Sequence, residues 1–313
     1  MANIVFAAAV PHLSYMIRGR DLIEARQRDA IDAALGQLGS DLRASRADAL
    51  IVFGPDHYNS FFLSNMPAFC IGTGTLSTSC GDAGLPVLRI PVHAEVSRAL
   101  VEGLHEEGHD VSFAHNMPVD HAFACPLSLL HPELSIPIVP IFVNCGAPPL
   151  APARRAHALG AAIARVCARM PVGLRIAVLA TGGLSHTVPI PKPDAPADAI
   201  EAQMVRLMHG GAPGAFEVLL RQRAAEWIRD VRARVNEDFD RTVIGHLAAG
   251  EGVLLAARST DWIEAEGGNG GQEIRTWLAA AAAAGEPRGE ALFYEPMPRW
   301  LTGICVFRWQ TAG

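Results

Sequence analysis

Lysine is almost absent from this chain of 313 residues: of 26 basic residues only Lys192 is a lysine, and the arginines form no basic block. With a net charge of -6 there is no basic face of the kind nucleic acid or an anionic membrane requires, so neither is an expected partner. Paired cysteines are missing too. The six cysteines (Cys70, Cys80, Cys125, Cys145, Cys167, Cys305) stand singly with no C-x-x-C, which fits reduced thiols packed as small hydrophobes and not a disulfide framework. The apolar run near the start, Ala2–Val10, stops at Pro11 and follows no basic region. It is too short for a membrane span and lacks the form of a secretion signal, so a cytoplasmic protein is expected. No internal repeat and no linker composition interrupts the chain, and residues 1–313 read as a single domain.

What is present is an alternation of short apolar runs and helical periodicity. Ala2–Val10, Ala47–Phe53, Ile136–Val143 and Leu174–Ala180 read as buried strands, and Leu88–Pro91 as a shorter one. The two prolines of Ile136–Val143 point to an edge strand or a distorted ladder. Arg20–Arg46, His93–Glu107 and Ala151–Met170 read as helices between them. Ile200–Asp240 is mostly helical, a further helix runs from about Thr242 to Ala257, and Gly267–Gly271 reads as a flexible hinge before a helix at Gln272–Ala284. The tail, ALFYEP and LTGICVFRW, reads as closing strands. The pattern predicts an α/β fold, a single domain with a central mixed, largely parallel sheet flanked by helices.

The histidines carry the chemistry. His12 follows the first strand directly, His57 follows the second within four residues, and His186 follows the Leu174–Ala180 strand within six. Ligand sites of open α/β sheets lie beyond the carboxyl ends of the strands, so these three converge if their strands are parallel neighbours. His121 sits on an irregular stretch before a short helix. The other eight, including His131, read as residues of polar helix faces and turns. Asp56 and Asp120 each precede a histidine, but adjacent side chains point apart, so each shapes its turn or reaches a neighbour. Two neutral imidazoles and one carboxylate would leave three coordination positions open, the arrangement used for non-haem Fe(II) and O2. Spacing alone leaves Glu251, Glu264, Glu266 and Glu273 all open as the carboxylate; Glu273 stands out because it follows the glycine run at the first turn of a helix. Phe61, Phe62 and Phe123 are candidates for lining a ring pocket, with core packing the alternative, and Val188–Pro196 is either a lid or a rigid surface loop.

A series of short motifs resembles the class III extradiol ring-cleavage dioxygenases. They are Pro11-His12-Leu13-Ser14, Phe53-Gly54-Pro55-Asp56-His57-Tyr58-Asn59 with Phe61-Phe62, Met66-Pro67 with Phe69-Cys70, Val119-Asp120-His121-Ala122-Phe123, Pro126-Leu127, Gly182-Gly183-Leu184-Ser185-His186, Glu273-Ile274-Arg275-Thr276-Trp277, and Tyr294 through Trp300-Leu301. Each is weak alone; their order and intervals along nearly the whole chain are specific. Gly270-Gly271-Gln272 departs from the Ser-Thr-His that precedes the glutamate in the family pattern. The resemblance implies Fe(II) held by His12, His57 and Glu273, with His186 as general base and His121 as proton donor. It further implies a small aromatic diol and O2 as partners, cleavage of a 3-substituted catechol beside its hydroxyls, and a homo-oligomer. An aminophenol or another catechol is the near alternative. A zinc hydrolase using the same His/His/Glu set is the alternative of a different class.

Overall fold

The computed structural model describes residues 2–210, 212, 214–229 and 235–311. The strands are β1 (Asn3–Val10), β2 (Ala49–Gly54), β3 (Phe69–Gly72), β4 (Leu76–Thr78), β5 (Arg89–Pro91), β6 (Ser112–Ala114), β7 (Ile138–Val143), β8 (Arg175–Thr181), β9 (Gly289–Met297) and β10 (Thr302–Trp309). The helices are α1 (Tyr15–Arg18), α2 (Ala25–Ala44), α3 (Ala94–Glu106), α4 (His121–Leu130), α5 (Ala153–Arg169), α6 (Ala199–Met208), α7 (Ala215–Arg229), α8 (Glu237–Ala249), α9 (Gly252–Ala256), α10 (Thr260–Gly267) and α11 (Ile274–Ala283). Eight strands form one sheet in the order β6-β3-β7-β2-β8-β1-β10-β9. Its centre, β7-β2-β8-β1, is parallel, and β10 and β9 close one side antiparallel. This is the mixed, largely parallel α/β architecture expected from the sequence.

The central strands are apolar at every position because both faces are covered. Ala7, Ala9, Ile51, Phe53, Val178 and Ala180 pack with α3, α5 and α11 on one face. The alternate residues Phe6, Ala8, Val10, Leu50, Val52 and Leu179 pack with α2 and α4 on the other. The parallel registry of β1, β8 and β2 brings their carboxyl ends side by side (Val10 opposite Thr181, Phe53 opposite Ala180), and with them His12, His186 and His57. Among the described residues no helix is long and apolar enough to cross a membrane.

Three readings of the sequence need correction. The strand β7 is interior, between β3 and β2, despite its prolines. Its pairing with β3 begins at Ile141, and Pro140 lies beside Gly72, where an added Cβ would come within 2.7 Å of the Pro140 ring; the missing side chain makes room for it. The helix expected from Thr242 to Ala257 is instead α8, a left-handed stop at Gly250 (φ 74°), and the short α9. The preceding stretch Ile200–Asp240 is mostly helical as expected, in α6, α7 and the start of α8, with residues 230–234 outside the described residues.

The third concerns Gly267–Gly271, which is a close-packed turn and not a hinge. His186 donates its backbone N–H to Gly267 O (2.8 Å), and its own carbonyl accepts from Gly270 N (3.0 Å). A Cβ on Gly268 would lie 2.2 Å from the His186 carbonyl, and one on Gly270 2.1 Å from the His186 ring. At Gly268 and Gly270 it is His186 that leaves no room for a side chain, and at Gly267 the Phe239 ring. Asn269 fastens the turn further through two 2.8 Å bonds to the Val188 backbone.

The same close approach holds α11 against α5, where an added Cβ on Gly160 would sit 2.0 Å from Ala279 O. Gly160→Ala is expected to lower stability in urea titration by about 1–3 kcal/mol through overpacking. Gly36→Ala, at an exposed position of α2 with nothing nearby, is expected to be neutral or stabilising by up to about 1 kcal/mol. Equal midpoints for the two variants would contradict this packing.

Candidate metal centre and acid-base pair

Glu273 reaches the site because α11 is tied to the end of β8. Thr276 donates its hydroxyl to Thr181 O (2.9 Å) and Trp277 its indole N–H to Gly182 O (3.2 Å). The carboxylate is only 6% exposed. One oxygen, Oε2, accepts from Gly183 N at 2.6 Å. The other, Oε1, stands 3.5 Å from His12 Nε2, 3.7 Å from His57 Nε2 and 3.8 Å from His186 Nε2. The remaining carboxylate candidates fall away: Glu251, Glu264 and Glu266 are exposed.

Separations of 3.5 to 3.7 Å are long for hydrogen bonds but close to the roughly 3–3.5 Å between two atoms that share one cation at about 2.1 Å. His12 is buried and turns its Nε2 toward Glu273, while its Nδ1 has no hydrogen-bond partner. The second imidazole is firmly oriented. His57 Nδ1 donates to Asp120 Oδ2 (2.8 Å), which also accepts the His57 backbone N–H (2.8 Å), while Asp120 Oδ1 caps α4 through Ala122 N (2.8 Å). A carboxylate behind a histidine in this way fixes its tautomer and leaves Nε2 as the free donor atom. Asp56 shapes its own turn instead, accepting from the backbone of Asn59, Ser60 and Phe61.

His121 and His186 complete the cavity and differ in what holds them. His121 opens α4, stacks on His57 with ring centroids 4.3 Å apart, and gives its Nδ1–H to the buried Asp82. Burial and the neighbouring His57 push its pKa down, but Asp120 and Asp82 outweigh them and bring it to about 9. His186 gives its Nδ1–H to the Leu184 carbonyl (2.8 Å), so the neutral ring presents a bare Nε2. Its loop is braced by Asp240, fully buried, which accepts from Ser185 N (2.6 Å) and Tyr294 Oη (2.9 Å).

All five residues singled out in the sequence, His12, His57, His121, His186 and Glu273, line one cavity, walled mainly by apolar side chains that include Leu13, Val188, Trp300 and Leu301. The three phenylalanines proposed for it do not reach it: Phe61 stacks on Phe142, Phe62 packs near the α6 residues Met204 and Met208, and Phe123 is buried beneath Gly54. His131, read as a polar-face residue, is fully buried and accepts from Ile136 N (2.8 Å). Sequence reasoning missed Asp82 and Asp240. The turn Gly81-Asp82-Ala83-Gly84, with positive φ at Gly81, Ala83 and Gly84, was a signal for the first; Asp240, one of three acidic residues in the first turn of α8, carried none that set it apart.

The chain belongs to the LigB family of aromatic ring-opening dioxygenases: the family profile, described as the catalytic LigB subunit of aromatic ring-opening dioxygenase, matches residues 7–305. It is thus a dioxygenase of the extradiol type. Among its relatives, a 2,3-dihydroxyphenylpropionate/2,3-dihydroxicinnamic acid 1,2-dioxygenase from a Rhodococcus species is 35% identical over 313 residues, covering 96% of this chain and 97% of its own. An enzyme of the same name from Cupriavidus pinatubonensis is 35% identical over 87% of this chain and 88% of its own. A solved structure of an uncharacterized Escherichia coli K12 protein covers 89% of this chain and 92% of its own at 14% identity, with a TM-score of 0.49.

The electrostatics bear on cation binding. Burial lowers the pKa of His57, but Asp120 and Glu273 overcome it and raise the pKa well above 6.5, whereas burial keeps that of His12 low despite Glu273. A cation seated at His57 Nε2 would at neutral pH have to displace a proton. Binding of a divalent ion is expected to release protons, seen as buffer-dependent heats in titration calorimetry. Its affinity should weaken by up to about tenfold per pH unit on acidification. Identical heats in buffers of different ionisation enthalpy would contradict this.

Proposed function

We propose that the chain is a non-haem Fe(II) enzyme that opens the ring of a 3-substituted catechol with O2, with 2,3-dihydroxyphenylpropionate the representative substrate, giving a muconic semialdehyde-type product in aromatic catabolism. The observation that carries the reading is the approach of Glu273 Oε1 to the Nε2 atoms of His12 and His57, beside two histidines whose Nδ1 atoms have unlike partners, a carboxylate for His121 and a backbone carbonyl for His186. In this reading His12, His57 and Glu273 are the ligands. Two neutral nitrogens and one carboxylate suit Fe(II) and leave one face open for substrate and O2. The ion, when bound, supplies the electron transfer that a closed-shell catechol and triplet O2 cannot manage alone.

The protein's part is to place the ring and move protons. His186 Nε2, bare because Nδ1 is engaged by Leu184, takes the proton of a catechol hydroxyl. His121, kept cationic by Asp82 and Asp120, gives a proton as the O–O bond breaks and the ring expands. The apolar wall keeps bulk water from the site until hydrolysis opens the expanded ring. The proposal treats residues 1–313 as one catalytic domain, working as a homo-oligomer in the cytoplasm.

The test is anaerobic loading with Fe(II), addition of 2,3-dihydroxyphenylpropionate, and admission of air. Equimolar O2 uptake with a yellow ring-opened product is the expected outcome. Iron-loaded protein that consumes no O2 with any catechol, or that holds zinc tightly and hydrolyses instead, contradicts it. His57→Ala is expected to lose its iron, and iron content equal to wild type would remove His57 from the ligand set. His186→Ala is expected to keep iron and lose about 100- to 10,000-fold in turnover; unchanged turnover would remove it as the base.

A further inference from the structure

The cavity that holds the five site residues carries one arginine or lysine among the described residues, Arg221, and one carboxylate besides Glu273, Glu217. Both project from α7, one turn apart. Glu217 is 5% exposed, and an anion so buried needs a partner. Arg221 Nε supplies it at 3.2 Å from Glu217 Oε1, with the arginine side chain itself 40% exposed. Guanidinium has five donors in a planar fork. Its Nε meets Glu217 as an ion pair without the alignment of a hydrogen bond, and the Nη edge has no hydrogen-bond partner among the described residues. That edge is the shape that receives a second carboxylate through two parallel bonds.

The substrates in the relatives' names, a dihydroxyphenylpropionate and a dihydroxycinnamate, share an anionic carboxylate on a short arm beside the two hydroxyls. Such an arm entering an apolar cavity that already holds Glu273 and Glu217 is repelled unless a cation meets it. Apart from the histidines assigned to the metal and the proton steps, Lys192 is the other nearby basic side chain. It is exposed and lines a neighbouring cavity that includes His57 and Glu273 but not His12, His121 or His186. The cavity with both acid-base histidines is Arg221's.

We infer that Arg221, braced by Glu217, is the specificity residue that selects catechols whose 3-substituent ends in a carboxylate. The inference rests on the ring-cleavage reading and adds to it the chemical class of substituent and the residue that reads it. The contact is remote from the breaking bonds and is made alike before and during reaction, so it acts on KM more than on kcat.

The experiment compares kcat/KM of iron-loaded enzyme for 2,3-dihydroxyphenylpropionate and for 3-propylcatechol, which has a similar arm and no charge. Wild type is expected to favour the carboxylate substrate. In Arg221→Gln the ratio of the two values should fall about 10- to 100-fold, mainly through KM, as loss of a charged hydrogen-bonded pair implies. Lys192→Gln should keep the wild-type ratio. The ratio cancels any general loss of folded or metallated protein. A wild type that prefers the neutral catechol, an unchanged ratio in Arg221→Gln, or a fall in Lys192→Gln instead overturns the inference while leaving ring cleavage standing. A wild type that opens neither ring overturns both.

Discussion

A carboxylate buried to 6% exposure cannot stand alone, and the arrangement around Glu273 follows from how that problem is solved. One oxygen is stabilised from within by the Gly183 N–H, and the other faces three imidazoles that no hydrogen bond ties to it. In the protein itself the second oxygen is met by His57, whose pKa Asp120 and Glu273 hold well above 6.5; in the proposed reading a cation among His12, His57 and Glu273 takes over that part. The rest of the architecture serves to keep that geometry. Thr276 and Trp277 lock α11 to the end of β8, Gly160 lets α11 press against α5, and the glycine turn before Glu273 wraps His186 closely enough to exclude side chains.

A second constraint separates the two histidines that do not belong to the proposed ligand set. They are chemically identical and share a cavity, yet a carboxylate stands behind one and a carbonyl behind the other. Asp82 and Asp120 favour the charged form of His121. The Leu184 carbonyl merely fixes a tautomer of His186. Unlike neighbours around like groups are the general way a single fold assigns them acid and base roles at one pH. Asp120 has a place in both arrangements, since it orients His57, caps the helix that presents His121, and contributes to the charge of that ring.

The sheet was legible in the sequence because its central strands are apolar at every position, and the convergence of His12, His57 and His186 followed from parallel order. Glu273 was legible as a helix-start carboxylate but needed the family resemblance to be separated from Glu251, Glu264 and Glu266. What could not be read depends on contacts between distant segments. Pro140 fits inside the sheet where Gly72 faces it, and Gly268 and Gly270 are confined by His186 lying against them. Asp82 and Asp240 act across 39 and 55 positions of sequence, and no local pattern announces such a partner.

The most direct measurement is an anomalous diffraction map from crystals of the protein loaded anaerobically with Fe(II). One iron peak within bonding distance of His12 Nε2, His57 Nε2 and Glu273 Oε1, with a face left open toward His121 and His186, is the result expected here. A peak seated instead with His121 as a ligand, on either of the groups His12, His57 and His121 or Asp82, Asp120 and His121 that place three ligand atoms within 4.8 Å of one another, would contradict the account.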